Sequence, residues 1–310
     1  MFKPSKVLVT GSSGFVGGCL VGQLEEQYSV MKVVRNQVAG GDSNVIALGN
    51  ITGKTDFSSA LNGVDVVVHL AARAHITKDT VIDPLNEFRK CNTEATLKLA
   101  KQASEAGVKR FIFISSIGVN GLSNDKPFTA FDDPNPTEDY AISKYEAECG
   151  LKEIAKYSQM EWVIIRPPLV YGKNAPGNFG TLIKVARKNL PLPLGAINNS
   201  RSFVYVENLV DLVMSCIVNR KAAGRTFLVS DGENISTTQL LNKLIEATGR
   251  KSKLIPIPVS ILKFFAGLIG KKMVVERFSS SLTVDIEHTK STLGWKPPVS
   301  LDEGIRRCFK

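Results

Sequence analysis

Cysteine and histidine are scarce in this sequence. Its 310 residues include five cysteines and three histidines, and the cysteines are scattered, odd in number and free of any C-x-x-C pair. A disulfide framework needs paired cysteines, and a structural metal site needs cysteine or histidine ligands at short, regular spacings. We therefore expect free thiols, a reducing cytoplasmic compartment and no bound metal.

Long apolar runs are also lacking. No uncharged stretch approaches the ~18 residues that a membrane-spanning helix needs. The first residues, MFKPSKVLVTG, contain no apolar signal core and lead directly into a strand pattern. The sequence therefore predicts a soluble chain without a targeting segment.

One shorter apolar segment stands out. Residues 256–272 read PIPVSILKFFAGLIGKK and end on two lysines. An amphipathic segment with a basic end either lies on a membrane surface or packs over a core or a substrate pocket. Short apolar helices are usually buried, so we expect this segment to be packed.

Positive charge is in excess. Lysine and arginine outnumber aspartate and glutamate by 39 to 29, which gives a net charge of +10. The basic residues are spread along the whole chain, and no helix-turn-helix, zinc-finger or RNP-like pattern accompanies them. Nucleic acid is therefore not the expected partner. A solvated basic surface is the simplest interpretation, and an anionic small substrate is the functional one that fits beside it.

Strand and helix patterns alternate through the first half of the chain. Runs such as 64–70 and 110–115 are apolar nearly throughout, as in parallel strands that are buried on both faces. Amphipathic helical patterns separate them, for example over 84–106. This βαβα order predicts an α/β fold with a Rossmann-type, doubly wound parallel sheet.

The alternation breaks after residue 168, where proline and glycine become frequent. We expect a nucleotide-binding domain over 1–166 and a smaller, mixed, substrate-binding domain over 167–310. Short strand patterns within 201–230 are expected to return to the first domain.

A glycine-rich turn follows the first strand. Residues 10–17 read T-G-S-S-G-F-V-G, with glycines at Gly11, Gly14 and Gly17. Glycine lets the backbone turn tightly and approach a pyrophosphate, while the following helix N-terminus supplies free N–H groups. A purely structural turn would not require three glycines at this spacing. The pattern predicts a dinucleotide site that also includes Phe15 and Val16.

The second strand ends in V-V-R-N, without the acid that NAD enzymes usually place there for the ribose hydroxyls. Arg35 suits a 2′-phosphate instead. The sequence therefore favours NADP(H) over NAD(H), which stays possible because Arg35 also suits an ordinary surface position.

Tyr140 and Lys144 have the spacing that places two side chains on one helix face. A nearby ammonium favours the phenolate, so we expect the pKa of Tyr140 to be lowered and the tyrosine to exchange a proton with a substrate oxygen. The spacing alone is not specific, since Tyr28 and Lys32 share it. Ser116 supports Tyr140, because it ends the preceding strand at the edge where active sites form and can hydrogen-bond the reacting oxygen.

With these motifs the chain resembles the extended short-chain dehydrogenase/reductase family, in its nucleotide-sugar branch. Four further segments carry the likeness: G-N-I at 49–51, H-L-A-A at 69–72, C-N-T at 91–93 and R-P-P-L-V-Y-G at 166–172. Besides the motifs above, the resemblance implies cofactor contacts from Asn50, Ile51, Leu70, Ala71, Ala72, Asn92 and Pro167.

The stretch R-S-F-V-Y-V resembles the family segment whose arginine, here Arg201, contacts the diphosphate of a sugar nucleotide. The resemblance also implies substrate contacts from Asn178 and Arg277, with a UDP-sugar as the expected substrate. In the family the helical segments corresponding to 84–106 and 140–157 pair two copies, so a homodimer is expected.

The residues after Ser116 narrow the reaction. Sugar-nucleotide 4,6-dehydratases of this kind carry Asp-Glu there, whereas this chain has Ile117 and Gly118. Neither residue can move a proton, so 4,6-dehydration is not expected. The segment 116–121, S-I-G-V-N-G, resembles the bacterial 4-keto-hexosamine reductases and 4-epimerase-like enzymes of surface-polysaccharide clusters.

Four functions stay open. Arg35 favours NADPH-dependent reduction of a 4-keto, UDP-linked (N-acetyl)hexosamine derivative for surface polysaccharide. The alternative is a UDP-sugar 4-epimerase, acting on UDP-glucose or UDP-N-acetylglucosamine with tightly bound NAD. A non-catalytic NADP-sensing protein ranks below both, because Tyr140 and Lys144 are retained. An enzyme of polyprenyl-diphosphate-linked sugars would give the apolar segment 256–272 a role.

Overall fold

The computed structural model describes residues 4–36, 42–73 and 83–310, and it confirms the predicted α/β class. The described residues form the strands β1 (Lys6–Thr10), β2 (Ser29–Val34), β3 (Val45–Ala47), β4 (Val66–His69), β5 (Arg110–Ile114), β6 (Glu161–Arg166), β7 (Leu169–Tyr171), β8 (Arg201–Tyr205), β9 (Arg225–Leu228) and β10 (Asn234–Ile235).

Helices connect these strands and follow them. They are α1 (Phe15–Leu24), α2 (Ser58–Leu61), α3 (Pro84–Phe88), α4 (Ala95–Glu105), α5 (Asp139–Lys156), α6 (Gly177–Lys188), α7 (Val206–Val218), α8 (Thr237–Glu246), α9 (Val259–Leu268), α10 (Lys272–Ser279), α11 (Glu287–Leu293) and α12 (Leu301–Arg307). A π-helical turn, Arg89–Glu94, joins α3 to α4, and a 3-10 turn, Ile117–Val119, follows β5.

Seven strands form one parallel sheet in the order β3-β2-β1-β4-β5-β6-β9. β1 lies in the interior, with Thr10 in register with Val33 of β2 on one side and with His69 of β4 on the other. The strand order therefore reverses between β1 and β4. In open sheets of this kind a crevice forms at the carboxyl ends of the strands at that point, and ligands bind there.

Both faces of the large sheet are covered, which explains why its strands are apolar nearly throughout. Successive residues of a strand face opposite sides. Val7 and Val9 of β1 pack toward α1 and α7, whereas Leu8 packs toward α2 and α4. All three side chains are completely buried. Two cores thus hold the sheet in place from opposite sides.

The remaining strands form a second sheet in the order β10-β8-β7. Helices α6, α8 and α12 pack around it on a third apolar cluster that includes Phe179, Phe203 and Leu241. The segment 201–230 is divided between the sheets, since β9 pairs with β6 while β8 pairs with β7 and β10. The three-stranded sheet and helices α6, α8 and α12 make up the smaller C-terminal part that the broken alternation predicts.

Helices α9 and α10 lie on the surface. Ala266 is the one buried residue of α9, and α10 has none. The expectation that 256–272 packs over a core or pocket is therefore wrong for most of its side chains, because the large apolar ones face solvent. Across the described ranges, no helix combines the length and the hydropathy needed to span a bilayer.

Candidate active site

The glycine-rich turn brings β1 and the start of α1 into direct contact. Gly11 has a φ of +70°, and a Cβ there would lie 2.8 Å from the backbone nitrogen of Ala71. A Cβ on Gly17 would lie 2.1 Å from the carbonyl oxygen of Gly11. Both positions therefore require glycine. Gly14 precedes α1 without a capping side chain, so the first-turn N–H groups fit a pyrophosphate, and with it a dinucleotide cofactor.

The other predicted cofactor residues lie along the same edge of the sheet. Most of them follow the carboxyl end of a strand: Arg35 after β2, Asn50 and Ile51 after β3, Leu70, Ala71 and Ala72 after β4, and Pro167 after β6. Phe15 and Val16 open α1 beside them. Because these strands are parallel, the fold gathers the residues around one crevice beside β1. Their contacts with a cofactor stay predictions.

Asn92 lies in the π-helical turn and is completely buried. Its Oδ1 accepts from the backbone N–H of Arg73 at 2.8 Å, while its Nδ2 donates to the carbonyl oxygen of Arg73 at 3.1 Å and to Ser143 Oγ at 3.0 Å. Ser143 Oγ in turn donates to the carbonyl oxygen of Tyr140 at 2.8 Å. Asn92 thus ties the segment after β4 to the first turn of α5.

Tyr140 and Lys144 lie one turn apart in α5, as the spacing predicts. The Tyr140 ring packs edge-on against Phe88, with ring centroids 6.0 Å apart. Lys144 is buried with its Nζ 4.0 Å from the centre of the Phe113 ring. Each ionisable group thus has an aromatic ring beside it.

Burial dominates the ionisation of this pair. It raises the pKa of Tyr140 to about 12. It also lowers the pKa of Lys144 to about 7, against the opposing charge of Glu148. The expected lowering of the pKa of Tyr140 is therefore wrong for the protein without a bound cofactor, because loss of water disfavours the phenolate.

Ser116 lies at the end of β5 and caps the 3-10 turn. Its Oγ accepts from the backbone N–H of Gly118 at 3.1 Å. The hydroxyl proton therefore stays available to a substrate oxygen. A Cβ on Gly118 would lie 3.3 Å from Cβ of Ala141, which shows that the turn packs against the start of α5 beside Tyr140. The fold thus packs the turn that Ser116 caps against the helix that carries Tyr140.

Ser115 is a polar residue to which the sequence motifs assign no role. Its side chain is buried, and within the described ranges its Oγ has no hydrogen-bond partner. It follows Phe113 by two residues, so it faces the same side of the sheet as the ring beneath Lys144. A strand-end position directly before Ser116 is the signal that points to it.

A buried chain of hydrogen bonds runs behind this edge. Thr96 Oγ1 donates to the carbonyl oxygen of Asn92 at 2.7 Å, so it accepts from His69 Nε2 at 2.8 Å. Nδ1 of His69 then accepts from Thr10 Oγ1 at 2.6 Å. Burial and the charge of Lys144 lower the pKa of His69 to about 3, so its ring is neutral. The chain links β1, β4 and the π-helical turn beneath the crevice.

An ion pair lies beneath α5. Arg166, at the end of β6, donates to both carboxylate oxygens of Glu148 at 2.9 and 2.5 Å, and to Asn120 Oδ1 at 2.9 Å. The arginine and glutamate side chains are 3% and 0% exposed. Glu148 follows Lys144 by one helical turn. This buried pair therefore holds the side of α5 that carries Lys144 against the sheet.

The predicted substrate residues fall into two groups. Arg201 Nη1 donates to the carbonyl oxygens of Arg277 at 2.8 Å and Ser280 at 3.2 Å. Arg277 in turn pairs with Glu138, which precedes Tyr140 by two residues, so both arginines lie near the start of α5. Asn178 is exposed in the first turn of α6. Their contacts with a substrate stay predictions.

An ion pair with Glu207 would give Arg201 a purely structural role. The structure pairs Glu207 with Arg307 instead, at 2.6 Å. Burial lowers the pKa of Arg201. Among the residues that the structure describes, no carboxylate lies within ion-pair distance of Arg201, which leaves a partly buried cation beside the candidate site.

Comparison with known proteins agrees with this geometry. The family model for the NAD dependent epimerase/dehydratase family matches residues 7–230. The chain is 46% identical to a UDP-glucose 4-epimerase of Vibrio cholerae, over 98% of this chain and 94% of that protein. It is 27% identical to an N-acetyl-α-D-glucosaminyl-diphospho-ditrans,octacis-undecaprenol 4-epimerase of Escherichia coli O157:H7, over 98% and 94% of the two chains.

A solved structure supports the fold. The UDP-glucuronic acid 4-epimerase of Bacillus cereus, in complex with NAD, superposes with a TM-score of 0.78 at 22% identity, over 97% of this chain and 96% of that one. The fold and the site thus define a nucleotide-dependent enzyme of sugar-nucleotide chemistry. The chain belongs to the NAD dependent epimerase/dehydratase family.

Proposed function

We propose that this protein is a UDP-sugar 4-epimerase that keeps its NAD bound between turnovers. The observation that carries the proposal is the 46% identity, over nearly the whole chain, to the UDP-glucose 4-epimerase of Vibrio cholerae. The packing of the Ser116 turn against the start of α5, where Tyr140 lies, supports it. UDP-glucose and UDP-N-acetylglucosamine are the proposed substrates.

Three side chains carry the proposed proton chemistry. Tyr140 takes the proton of the sugar 4-hydroxyl and later returns it, while Ser116 donates a hydrogen bond to the same oxygen. Lys144, when charged, favours the tyrosinate. A bound NAD would supply hydride transfer at C4 of the sugar and, in its oxidised form, a positive charge. We propose that Gly11, Gly14 and Gly17 hold its pyrophosphate, with the other predicted crevice residues around it.

The proposed cofactor differs from the NADP(H) that Arg35 favours in the sequence. The matching family is NAD dependent, which does not support a preference for NADP. Arg35 is exposed at the end of β2, and this position is compatible with an ordinary surface residue. We therefore propose NAD(H) as the resident cofactor.

The 4-keto reductase is the second candidate, because Arg35 stands where an acid would bind the ribose hydroxyls. The decisive test has two parts. The nucleotide released from one portion of the purified protein is identified, and an untreated portion is assayed with UDP-glucose without added cofactor. The epimerase should release NAD and form UDP-galactose unaided. An empty site, with NADPH consumed in step with reduction of a 4-keto sugar, would establish the reductase. In that case Arg35→Asp should weaken NADPH far more than NADH.

A polyprenyl-diphosphate-linked sugar is a further candidate substrate. The E. coli relative is named for such a sugar, and the exposed apolar side chains of α9 and α10 favour it. The same assay with a polyprenyl-linked N-acetylhexosamine distinguishes it, since a preference for that substrate over the UDP-sugar would replace the proposed one.

We expect Arg201→Ala to raise the KM for the UDP-sugar by ~10-fold or more, because charge-assisted hydrogen bonds to phosphate are strong. NAD content should not change. Arg250→Ala is the matched control, since Arg250 also donates to a backbone carbonyl, that of Arg187 at 2.6 Å, away from the site. An unchanged KM with a lowered melting temperature would show that Arg201 only holds the end of α10.

We further propose a nucleotide-binding domain over 1–166, to which β9 contributes its last strand, and a substrate-binding domain over 167–310. A homodimer paired through α4 and α5, a cytoplasmic location and a role in surface-polysaccharide synthesis complete the proposal. Half-buried apolar side chains on the two helices, Leu97 in α4 and Ile142 and Tyr145 in α5, support the dimer.

A further inference from the structure

Helices α9 and α10 present a continuous apolar surface to solvent. We call it the hairpin face. Its members are the exposed apolar side chains Ile261, Phe264, Phe265, Leu268, Ile269, Met273 and Val274. Phe264, Leu268 and Met273 are 65%, 70% and 72% exposed. Other large apolar side chains that are exposed, such as Leu122 and Tyr157, lie apart from one another in the sequence.

The spacing of these residues makes the surface a regular stripe. Positions 261, 264, 265 and 268 follow the helical repeat and share one side of α9. Ala266, on the other side, is the residue of α9 that reaches the protein interior. Contiguous apolar surface of this kind is costly in water and marks an interaction site.

Positive charge borders the hairpin face. Lys271 and Lys272 lie at the turn between the helices, both exposed, and Lys263 lies within α9. Glu276 is the single acid of residues 259–279, and its Oε1 is 4.0 Å from Nζ of Lys272. The surface is therefore apolar with a cationic border.

We propose that the hairpin face docks the protein onto an anionic lipid bilayer. Aromatic and aliphatic side chains enter the interface between headgroups and acyl chains, while lysines at the border meet anionic headgroups. The helices of ten and eight residues are too short to cross a bilayer, so they lie along its surface.

Charge favours a bilayer over a second copy of this chain as the occupant. A two-fold interface built on the hairpin face would bring the same surface of both copies together. Lys271 and Lys272 of both copies would then lie at one shared interface, with Glu276 as the single acid of 259–279 to offset them. An anionic bilayer supplies the complementary charge that a second copy lacks.

The hairpin is also connected to the candidate site. Arg277 lies in the last turn of α10 and pairs with Glu138, two residues before Tyr140. Docking would therefore place the entrance of the site close to the lipid surface. This consequence rests on the proposed function, whereas the docking itself does not.

Co-sedimentation of the full chain with vesicles tests the proposal. The probes are vesicles of phosphatidylcholine alone and vesicles with about a third phosphatidylglycerol, a level of anionic lipid at which basic segments bind. We expect the protein to sediment with the anionic vesicles, to bind phosphatidylcholine weakly and to be released by high salt. A wild-type protein that stays in the supernatant with both vesicles would overturn the proposal.

Two double variants locate the surface. Phe264→Ser with Leu268→Ser removes apolar contacts, and Lys271→Glu with Lys272→Glu reverses the border charge. Each should lower vesicle binding by ~10-fold or more. Tyr157→Ser, at another exposed aromatic, and Arg220→Glu with Lys221→Glu, at an exposed basic pair before β9, are the matched controls. Equal losses in the controls would overturn the assignment.

Two further measurements distinguish bilayer docking from self-association and from catalysis. Sedimentation velocity of each variant reports association: if the serine variant changes the oligomeric state while vesicle binding persists, the hairpin face covers another copy and the proposal is wrong. The UDP-sugar assay in solution, without vesicles, should be unaffected by all four variants. That assay reports the proposed function separately, so failure of the one proposal does not decide the other.

Discussion

Replacing Tyr140 by phenylalanine is expected to lower turnover of the UDP-sugar by ~10²-fold or more, the usual worth of a positioned acid–base group. The variant removes one hydroxyl and keeps the ring that packs on Phe88, so folding should be retained. The NAD that we propose as resident cofactor should also be retained. Turnover, nucleotide content and melting temperature measured on the same preparation check the expectation.

The chain supplies its own control for this variant. Tyr28 and Lys32 have the same spacing as Tyr140 and Lys144, but Lys32 pairs with Glu25 at 2.8 Å and with Asp42 at 2.9 Å. Tyr28 also precedes β2, at the edge of the sheet opposite the crevice. Tyr28→Phe should therefore leave turnover unchanged. Near-normal turnover of Tyr140→Phe would remove the catalytic assignment.

Breaking the buried ion pair is expected to have the largest effect on stability. Arg166→Leu leaves Glu148 charged and unpaired in the interior, which typically costs about 3–5 kcal/mol of unfolding free energy. Asn120 loses a partner as well. Denaturant unfolding of the variant, followed by fluorescence and circular dichroism, measures the loss.

A partly exposed ion pair that also involves α5 provides the comparison. Arg89 contacts Glu146 in the same two-pronged manner, with side chains 43% and 31% exposed. Water screens this pair, so Arg89→Leu should lower the free energy of unfolding far less than Arg166→Leu does. Glu148→Gln with Arg166→Met should recover part of the stability lost in Arg166→Leu, because no unpaired charge remains. Equal losses at the two sites would contradict the argument from burial.

Much of the nucleotide-binding half could be predicted from sequence, because its elements are set by local patterns. β1 lies directly before the glycine-rich turn, where the strand pattern of the first residues predicts it. The glycine turn, the strand ends and the first turn of α5 lie where their motifs place them. In each case a few neighbouring residues determine the local backbone conformation.

Properties that depend on distant residues could not be predicted in this way. The pKa of Lys144 falls because helix and sheet together exclude water around it, and no neighbour in sequence reports that. The ion pair between Arg307 and Glu207 joins positions a hundred residues apart. The exposure of α9 could not be predicted, because an apolar composition indicates burial but does not identify the surface that would cover the helix.

The π-helical turn at Arg89–Glu94 sets the direction in which the side chains of the following helix face. A π turn accommodates one residue more than the α-helical repeat, so α3 and α4 are out of phase by about 100°, the rotation of one residue. Deletion of one residue here would shorten the segment. It would also give α3 and α4 one continuous α-helical phase. Asn92 would then swing away from Arg73 and Ser143, so in this segment sequence length itself encodes the direction of a side chain.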